Sequence, residues 1–444
     1  MSRKSKTKPT AAAVPTPAWL TPALVVVVFG LGAVSWLVGH PVRRVDLPSK
    51  IPAYPVSTSI KFEPKAVGSD TSDPRITNVQ IVDFNRDGLN DLLVCDAARN
   101  SVIVYLQTKS GGWQEQILAE GLAVPAHATV VDLDGDGDLD VVVAVLGSIF
   151  PSDELVGKVI WLENIEGKFT PHILLDDVRR VADVQAADFN GDGRIDLAVA
   201  VFGYARGEVL WLENMGKSGG KLRFRDHQLL SRPGTIHVPV GDFDGDGKPD
   251  IAAVVTQDEE EVWIFQNLGK GEFKPHRIYH ANNFDVGGAG LIAADLDQDG
   301  RLDLLVPQGD NLEDRYSWPQ PYHGCLWLRN EGNWNFKPKQ IANFGGTYAA
   351  AVADFNGDKK LDVVLVSYLG GRLQPSIVWL ENDGHENFKV VKIADGPLGL
   401  VTVAAGDLNG DGRPDIVAGG LHIPPFNRQG YERVTIWQNR KAAP

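Results

Sequence analysis

The sequence predicts an all-β fold: a seven-bladed β-propeller of four-stranded blades, with a cation-binding loop between strands 1 and 2 of each blade. One N-terminal transmembrane helix precedes it. Three observations predict this. An acidic pattern, D-x-[DN]-x-D-G-x-x-D, recurs seven times in the 444 residues. A Trp-Leu-x-Asn signature follows it in most copies. An uncharged apolar run from Trp19 to Val38 precedes all of them.

Arg3, Lys4, Lys6 and Lys8 lie before the apolar run, and Arg43 and Arg44 after it. A helix of about 20 residues spans about 30 Å, the thickness of a bilayer core. Trp19 and Trp36 sit near its ends, as interfacial aromatics do. The basic bias keeps residues 1–18 in the cytoplasm as a basic tail and sends the repeats outside. Residues 19–38 therefore read as a single-pass signal anchor in the cell membrane. Ala33-Val34-Ser35 offers small residues at a cleavage spacing, so secretion after signal cleavage is the alternative. Residues 39–58 hold Pro41, Pro48, Pro52 and Pro55 and read as a stiff linker. The propeller spans 59–440, and 441–444 form a short C-terminal tail.

The loops supply hard oxygen ligands at positions 1, 3, 5 and 9. In order along the chain these are Asp83, Asn85, Asp87 and Asp91; Asp132, Asp134, Asp136 and Asp140; Asp188, Asn190, Asp192 and Asp196. The fourth and fifth sets are Asp242, Asp244, Asp246 and Asp250, then Asp295, Asp297, Asp299 and Asp303. Asp354, Asn356, Asp358 and Asp362 follow, and Asp407, Asn409, Asp411 and Asp415 complete the series. Successive copies start 49, 56, 54, 53, 59 and 53 residues apart, a period that marks a repeat architecture. An all-oxygen cage without Cys or His suits Ca²⁺, up to seven ions in a structural role. Each loop runs into a Val- and Ile-rich strand rather than a helix, which disfavours an EF-hand. In the sixth loop Lys359 replaces the turn Gly, which weakens that copy.

Each repeat reads as four strands. An apolar strand enters the loop and a second leaves it. A third carries the signature, as in Trp161-Leu162-Glu163-Asn164 and Trp211-Leu212-Glu213-Asn214. A Gly-x-Phe turn leads to the fourth. Four short strands per repeat describe a propeller blade. The last repeat stops after its third strand, at Ile436-Trp437-Gln438-Asn439, and a lone fourth-type strand, Ile60-Lys61-Phe62-Glu63, precedes the first. Pairing of the two closes the ring and removes exposed sheet edges.

The net charge of −14 argues against a nucleic-acid partner. The loops account for much of it, and seven divalent cations would cancel it. Cys95 and Cys325 lie in different repeats and do not suggest a disulfide. No nucleotide loop, G-x-S-x-G or H-E-x-x-H motif is present, which weighs against the commonest enzyme classes.

The loops and Trp-Leu-x-Asn strands resemble FG-GAP/VCBS-type repeats, the calcium-loop propeller class that includes the integrin α head and several fungal lectins. The resemblance covers about residues 59–440. It implies that calcium sits on one face, in the loop between strands 1 and 2. It also implies that ligands meet the opposite face, built from the 4–1 and 2–3 connections.

Two groups of residues are candidates on that face. The first lies in long 2–3 connections on a rigid scaffold, where binding usually lives. Blade 5 contributes Asp310, Arg315, Tyr316, Trp318, Tyr322 and His323; blade 6 contributes Tyr368 and Arg372; blade 7 contributes Arg428 and Tyr431. Blade 2 has a further connection, GSIFPSDELVG, with Phe150 and Asp153. Aromatics beside Arg and Asp suit sugar faces or a protein hot spot. The second group lies five residues before each loop, where the innermost strand begins. His127, Asp183 and His237 occupy that position in adjacent blades, with Arg179, Arg180 and His280 in neighbouring connections. These suit polar channel lining, an acid–base cluster or a transition-metal site. The first functional reading is a membrane-anchored, extracytoplasmic calcium propeller that binds a protein or glycan. The alternative is an extracellular polysaccharide lyase, with a histidine as base and an arginine as charge neutraliser.

Overall fold

The computed structural model describes residues 54–57, 60–71, 73–150, 152–257, 259–283, 285–310, 319–370, 374–422 and 431–441. The chain divides into Met1–Ile51 and Pro52–Pro444. The expected tail and membrane helix, 1–38, lie outside the described residues, as does most of the linker. Among the described residues, no helix is long and apolar enough to cross a membrane.

The second unit is a seven-bladed β-propeller made of seven antiparallel sheets. Blade 1 comprises Ile76–Val82, Asp91–Asp96, Ser101–Gln107 and Trp113–Ala119. Blade 2 runs from Pro125–Val131 to Lys168–Val178, blade 3 from Arg180–Ala187 to Lys221–Ser231, and blade 4 from Thr235–His237 to Glu272–His280. Blade 5 runs from Ile292–Ala294 to Phe336–Asn343 and blade 6 from Thr347–Ala353 to Phe388–Ala394. Pro239 has no N–H to give the ladder, so the inner strand of blade 4 splits into Thr235–His237 and Val240–Gly241.

Blade 7 closes the ring. Its strands Leu400–Gly406, Asp415–Gly420 and Tyr431–Lys441 are completed by the N-terminal strand Ile60–Thr71. The pairing is antiparallel, with Ile60 opposite Lys441 and Val67 opposite Val434. Arg433 then bridges to the buried Asp96 of blade 1 at 2.9 Å, which ties the closing blade to the first. Residues just before this strand also pack on the ring. The Pro55 carbonyl accepts the Lys392 N–H at 2.7 Å, and Tyr54 meets Phe344 edge-on at 6.1 Å.

The core follows from the blade order. Second strands lie between neighbouring blades and are buried on both faces, as in DLAVAVF of Asp196–Phe202. Outer strands alternate with solvent, as in Lys221–Ser231. Seven apolar clusters fill the seven seams, one between each pair of adjacent blades. Trp161, Trp211, Trp327, Trp379 and Trp437 are buried in these seams, so the recurring Trp is a packing residue.

Candidate functional site

The acidic loops fold by hydrogen-bonding their own backbone. In the third loop, Asp188 accepts the N–H groups of Gly191 at 2.8 Å, Asp192 at 3.2 Å and Gly193 at 2.8 Å. Asn190 accepts the Asp192 N–H at 2.9 Å, and Asp192 accepts that of Arg194 at 2.9 Å. These bonds draw the side chains at positions 1, 3 and 5 together. Where all three are Asp, their oxygens lie within 4.8 Å of one another: Asp132, Asp134 and Asp136; Asp242, Asp244 and Asp246; Asp295, Asp297 and Asp299. Three like charges this close call for cationic compensation. Basic residues at position 7 supply some of it in two of these loops, where Lys248 and Arg301 bend back onto the position 5 carboxylates, as Arg194 and Arg413 do in loops with Asn at position 3. The donor set fits a hard divalent cation.

Position 6 takes positive φ throughout, from 69° at Lys359 to 98° at Gly137. Lys359 donates its N–H to Asp354 at 2.8 Å, so the sixth loop keeps the fold at the cost of a left-handed lysine. Lys359→Gly is expected to relieve about 1 kcal/mol of backbone strain and raise the melting temperature slightly. Paired thermal melts of the two chains check this.

Position 9 behaves differently. These seven aspartates are buried at the start of each second strand. Asp196 accepts the Phe189 N–H at 3.3 Å and the Asn214 N–H at 2.7 Å, and the other copies repeat the pattern. The Asn near the end of strand 3, the last residue of Trp-Leu-x-Asn where that signature occurs, completes a latch. Asn267 donates to the Pro249 carbonyl at 3.0 Å within its own blade and to the Phe189 carbonyl at 2.9 Å in the preceding one. Asn330, Asn439 and Gln107 make equivalent links to Phe243, Phe355 and Leu408. The position 9 carboxylate, expected as a cage ligand, therefore also fastens strand 2 to strand 3. Burial pushes Asp250 and Asp362 up to about 7, partly offset by the N–H groups they accept.

The opposite end of the channel holds a cavity of about 750 Å³. Six inner strands carry a β-bulge near their start, between Ile76 and Asn78 in blade 1 and at matching positions elsewhere. The extra residue lines the cavity: Thr77, Ala126, Ala182, Ile236, Tyr348 and Val401, with Ala289 at the same place in blade 5. The signal was present in the sequence six residues before each loop, one position from the histidines that drew attention. Small side chains at most of these positions keep the centre open.

His127, Asp183 and His237 do meet. Asp183 lies between the two imidazoles, 3.0 Å from His127 Nδ1 and 3.5 Å from His237 Nδ1. It also accepts the Val238 N–H at 2.9 Å and the Gln185 amide at 3.1 Å. Burial opposes ionisation of Asp183, but the two histidines and the Val238 N–H more than offset it and hold the carboxyl well below its usual range. Burial holds His127 below the ordinary histidine value. Only His237 of the three lines the cavity. The trio bridges blades 2, 3 and 4.

The other candidates separate. Arg180 lines the cavity, stacks over Phe202 with 4.2 Å to the ring centre, and donates to the Phe150 carbonyl at 3.1 Å. Asp310 and Tyr368 line it too, and Asp310 accepts the Tyr348 hydroxyl at 3.3 Å. Arg179 pairs with Asp153 at 3.5 Å. His280 is exposed at the end of the outermost strand of blade 4 and does not line the cavity, contrary to its expected place. His323 is buried, and its Nδ1 accepts the N–H groups of Gly346 at 3.0 Å and Gln320 at 3.3 Å. Burial lowers it to about 4, so it serves as a neutral acceptor joining blades 5 and 6. Tyr322 packs edge-on to it at 5.3 Å. Tyr431 pairs with Thr71 through its backbone. Arg315, Tyr316, Trp318, Arg372 and Arg428 lie outside the described residues.

Sequence reasoning missed Tyr348, Tyr204 and Glu260. Tyr204 and Phe150 form an exposed apolar rim beside the cavity on blades 3 and 2, at 45% and 65% exposure. Glu260 is buried and accepts the Gly288 N–H at 3.1 Å; burial raises it to about 8, and Asp310 adds to the shift.

A ring of seven four-stranded blades, each with an acidic loop between its first two strands, defines a repeat propeller whose loops and channel mouth lie at opposite ends of its inner strands. The FG-GAP-like repeat matches residues 71–143, 188–253, 242–306, 308–365 and 354–418, and the chain belongs to this family. It is similar to a T-cell immunomodulatory protein homolog of Plasmodium falciparum (isolate 3D7), 24% identical over 298 residues, covering 64% of this chain and 36% of that protein. It is also similar to cartilage acidic protein 1 of Xenopus tropicalis, 30% identical over 182 residues, covering 36% of this chain and 25% of that protein. The chain thus spans well under half the length of these curated relatives. A solved streptogramin B lyase structure superposes with a TM-score of 0.54 at 13% identity, over 86% of this chain and 98% of that one, which shows the fold alone.

Proposed function

We propose that this is a membrane-anchored, extracytoplasmic calcium-binding propeller whose channel-mouth face binds a protein or glycan. The cavity framed by one residue from each blade carries the reading. Concave, mostly apolar sites with a few placed polar groups are where ligands bind. Calcium in the loops stiffens the scaffold from the far end. Relatives named for T-cell immunomodulation and for cartilage support a binding role outside cells.

The elimination-enzyme reading rests on His237 and Arg180, which share the cavity wall with Asp183 behind His237. A seven-walled well admits a chain end more readily than the middle of a polysaccharide, which favours binding over lyase action.

The test is a glycan array and an array of extracellular proteins, probed with the full chain in calcium and in chelator. Binding is expected in calcium only, and Ala182→Phe, which fills the well, is expected to abolish it. Binding indifferent to Ala182→Phe would overturn the site. Release of unsaturated sugar products from a bound glycan would favour the lyase reading.

A further inference from the structure

The chemistry of the well narrows what enters it, given that the channel mouth is the binding face. Its walls are largely aliphatic and aromatic: Ile149, Phe150, Phe202 and Tyr204 on blades 2 and 3, Tyr348 and Tyr368 on blade 6 across the ring. Facing aromatic walls suit a flat ring, which stacks or meets them edge-on. Polar groups are few: Arg180 is engaged over Phe202 and on the Phe150 carbonyl, Asp310 accepts the Tyr348 hydroxyl, and His237 is oriented by the fold. His237 is about one-third exposed to the well, and its Nδ1 faces the ionised Asp183. Asp183 is itself held by the Val238 N–H, the Gln185 amide and His127, so it has little freedom to move. A carboxylate at Nδ1 fixes the neutral imidazole as the Nδ1–H tautomer and leaves Nε2 as an acceptor. An acceptor in an apolar well selects a ligand that brings a donor.

We propose that the well receives an aromatic ring bearing a hydroxyl, end-on, with the hydroxyl donating to His237 Nε2. The ring lies between the Phe150–Tyr204 rim and the Tyr348–Tyr368 pair. Ala126, Ala182 and Ala289 leave the depth it occupies. The same phenolic chemistry is offered by a tyrosine side chain of a protein and by a free phenol.

The experiment is ligand-observed ¹⁹F NMR of the full chain in calcium, with 4-fluorophenol and 4-fluorotoluene as probes. Saturable broadening of 4-fluorophenol is expected, with a preference over 4-fluorotoluene of about tenfold. Ala182→Phe and Ala289→Phe, which fill the well from different blades, are expected to abolish it. His237→Leu is expected to remove the preference, and His237→Gln, which keeps an acceptor, to restore part of it. Thermal melts confirm that each variant is folded. Competition by acetyl-Gly-Tyr-Gly-amide but not by its Phe analogue, at lower concentration than free phenol, assigns the source to a protein; the reverse order assigns a free phenol. If neither filling variant affects 4-fluorophenol, the channel mouth is not the site, and both this inference and the proposed binding face fail. If filling abolishes binding but the preference survives His237→Leu, the hydroxyl assignment alone fails.

Discussion

Deleting Ile60–Thr71 is expected to abolish the folded monomer. That strand is the fourth of blade 7, and its loss bares the backbone of Tyr431–Lys441 along most of its length. It also empties two seams. Ile60 is buried between blades 6 and 7, and Val67 between blades 7 and 1. Burying one such side chain contributes about 2 kcal/mol, and the exposed edge adds a route to intermolecular pairing. Size-exclusion chromatography with a urea titration checks this. Aggregation or loss of the cooperative transition is expected. A monomeric deletion variant with the parent's midpoint would show that the ring does not depend on this strand.

Chelation of calcium is expected to lower the melting temperature by about 10 °C or more. A ligand at a hundredfold excess over its Kd contributes about 2.7 kcal/mol per site, and up to seven loops share the effect. A domain this long shifts by only about 1 °C per 0.8 kcal/mol, so several occupied sites are needed for the full change. The loops with three converging aspartates, 132–136, 242–246 and 295–299, are expected to load first, since their repulsion is greatest without an ion. Asp244→Asn, in one of these, is expected to reduce the chelator effect more than Asn190→Ser does. Differential scanning calorimetry in calcium and in chelator measures both. Superimposable melts would show that the loops hold together without an ion.

The strand expected at Ile60–Glu63 closes blade 7 and continues to Thr71, so closure was legible from an unfinished last repeat. The site was legible only in part. His127, Asp183 and His237 were placed together correctly because they hold one repeat position in adjacent blades. His280 was misplaced because a residue's distance from the axis depends on how far the fourth strand runs, which no local pattern encodes. His323 looked like a ligand residue beside aromatics, yet it is buried as an acceptor for Gly346.

By itself the sequence determined the blade count, the strand order and the loop positions. Hydrophobic period, turn glycines and Asp spacing are local properties, and seven copies in register leave few alternatives. The tertiary structure alone decided which residues share the channel mouth. A one-residue bulge sends position −6 into the well, while of the position −5 residues only His237 reaches it, and bulges arise from register between strands. It also decided that the position 9 aspartates and the Asn near the end of strand 3 form latches, with Asn267, Asn330 and Asn439 reaching the preceding blade. The blade-to-blade bonds join groups far apart in the chain, and only the packing of neighbouring blades brings them within reach.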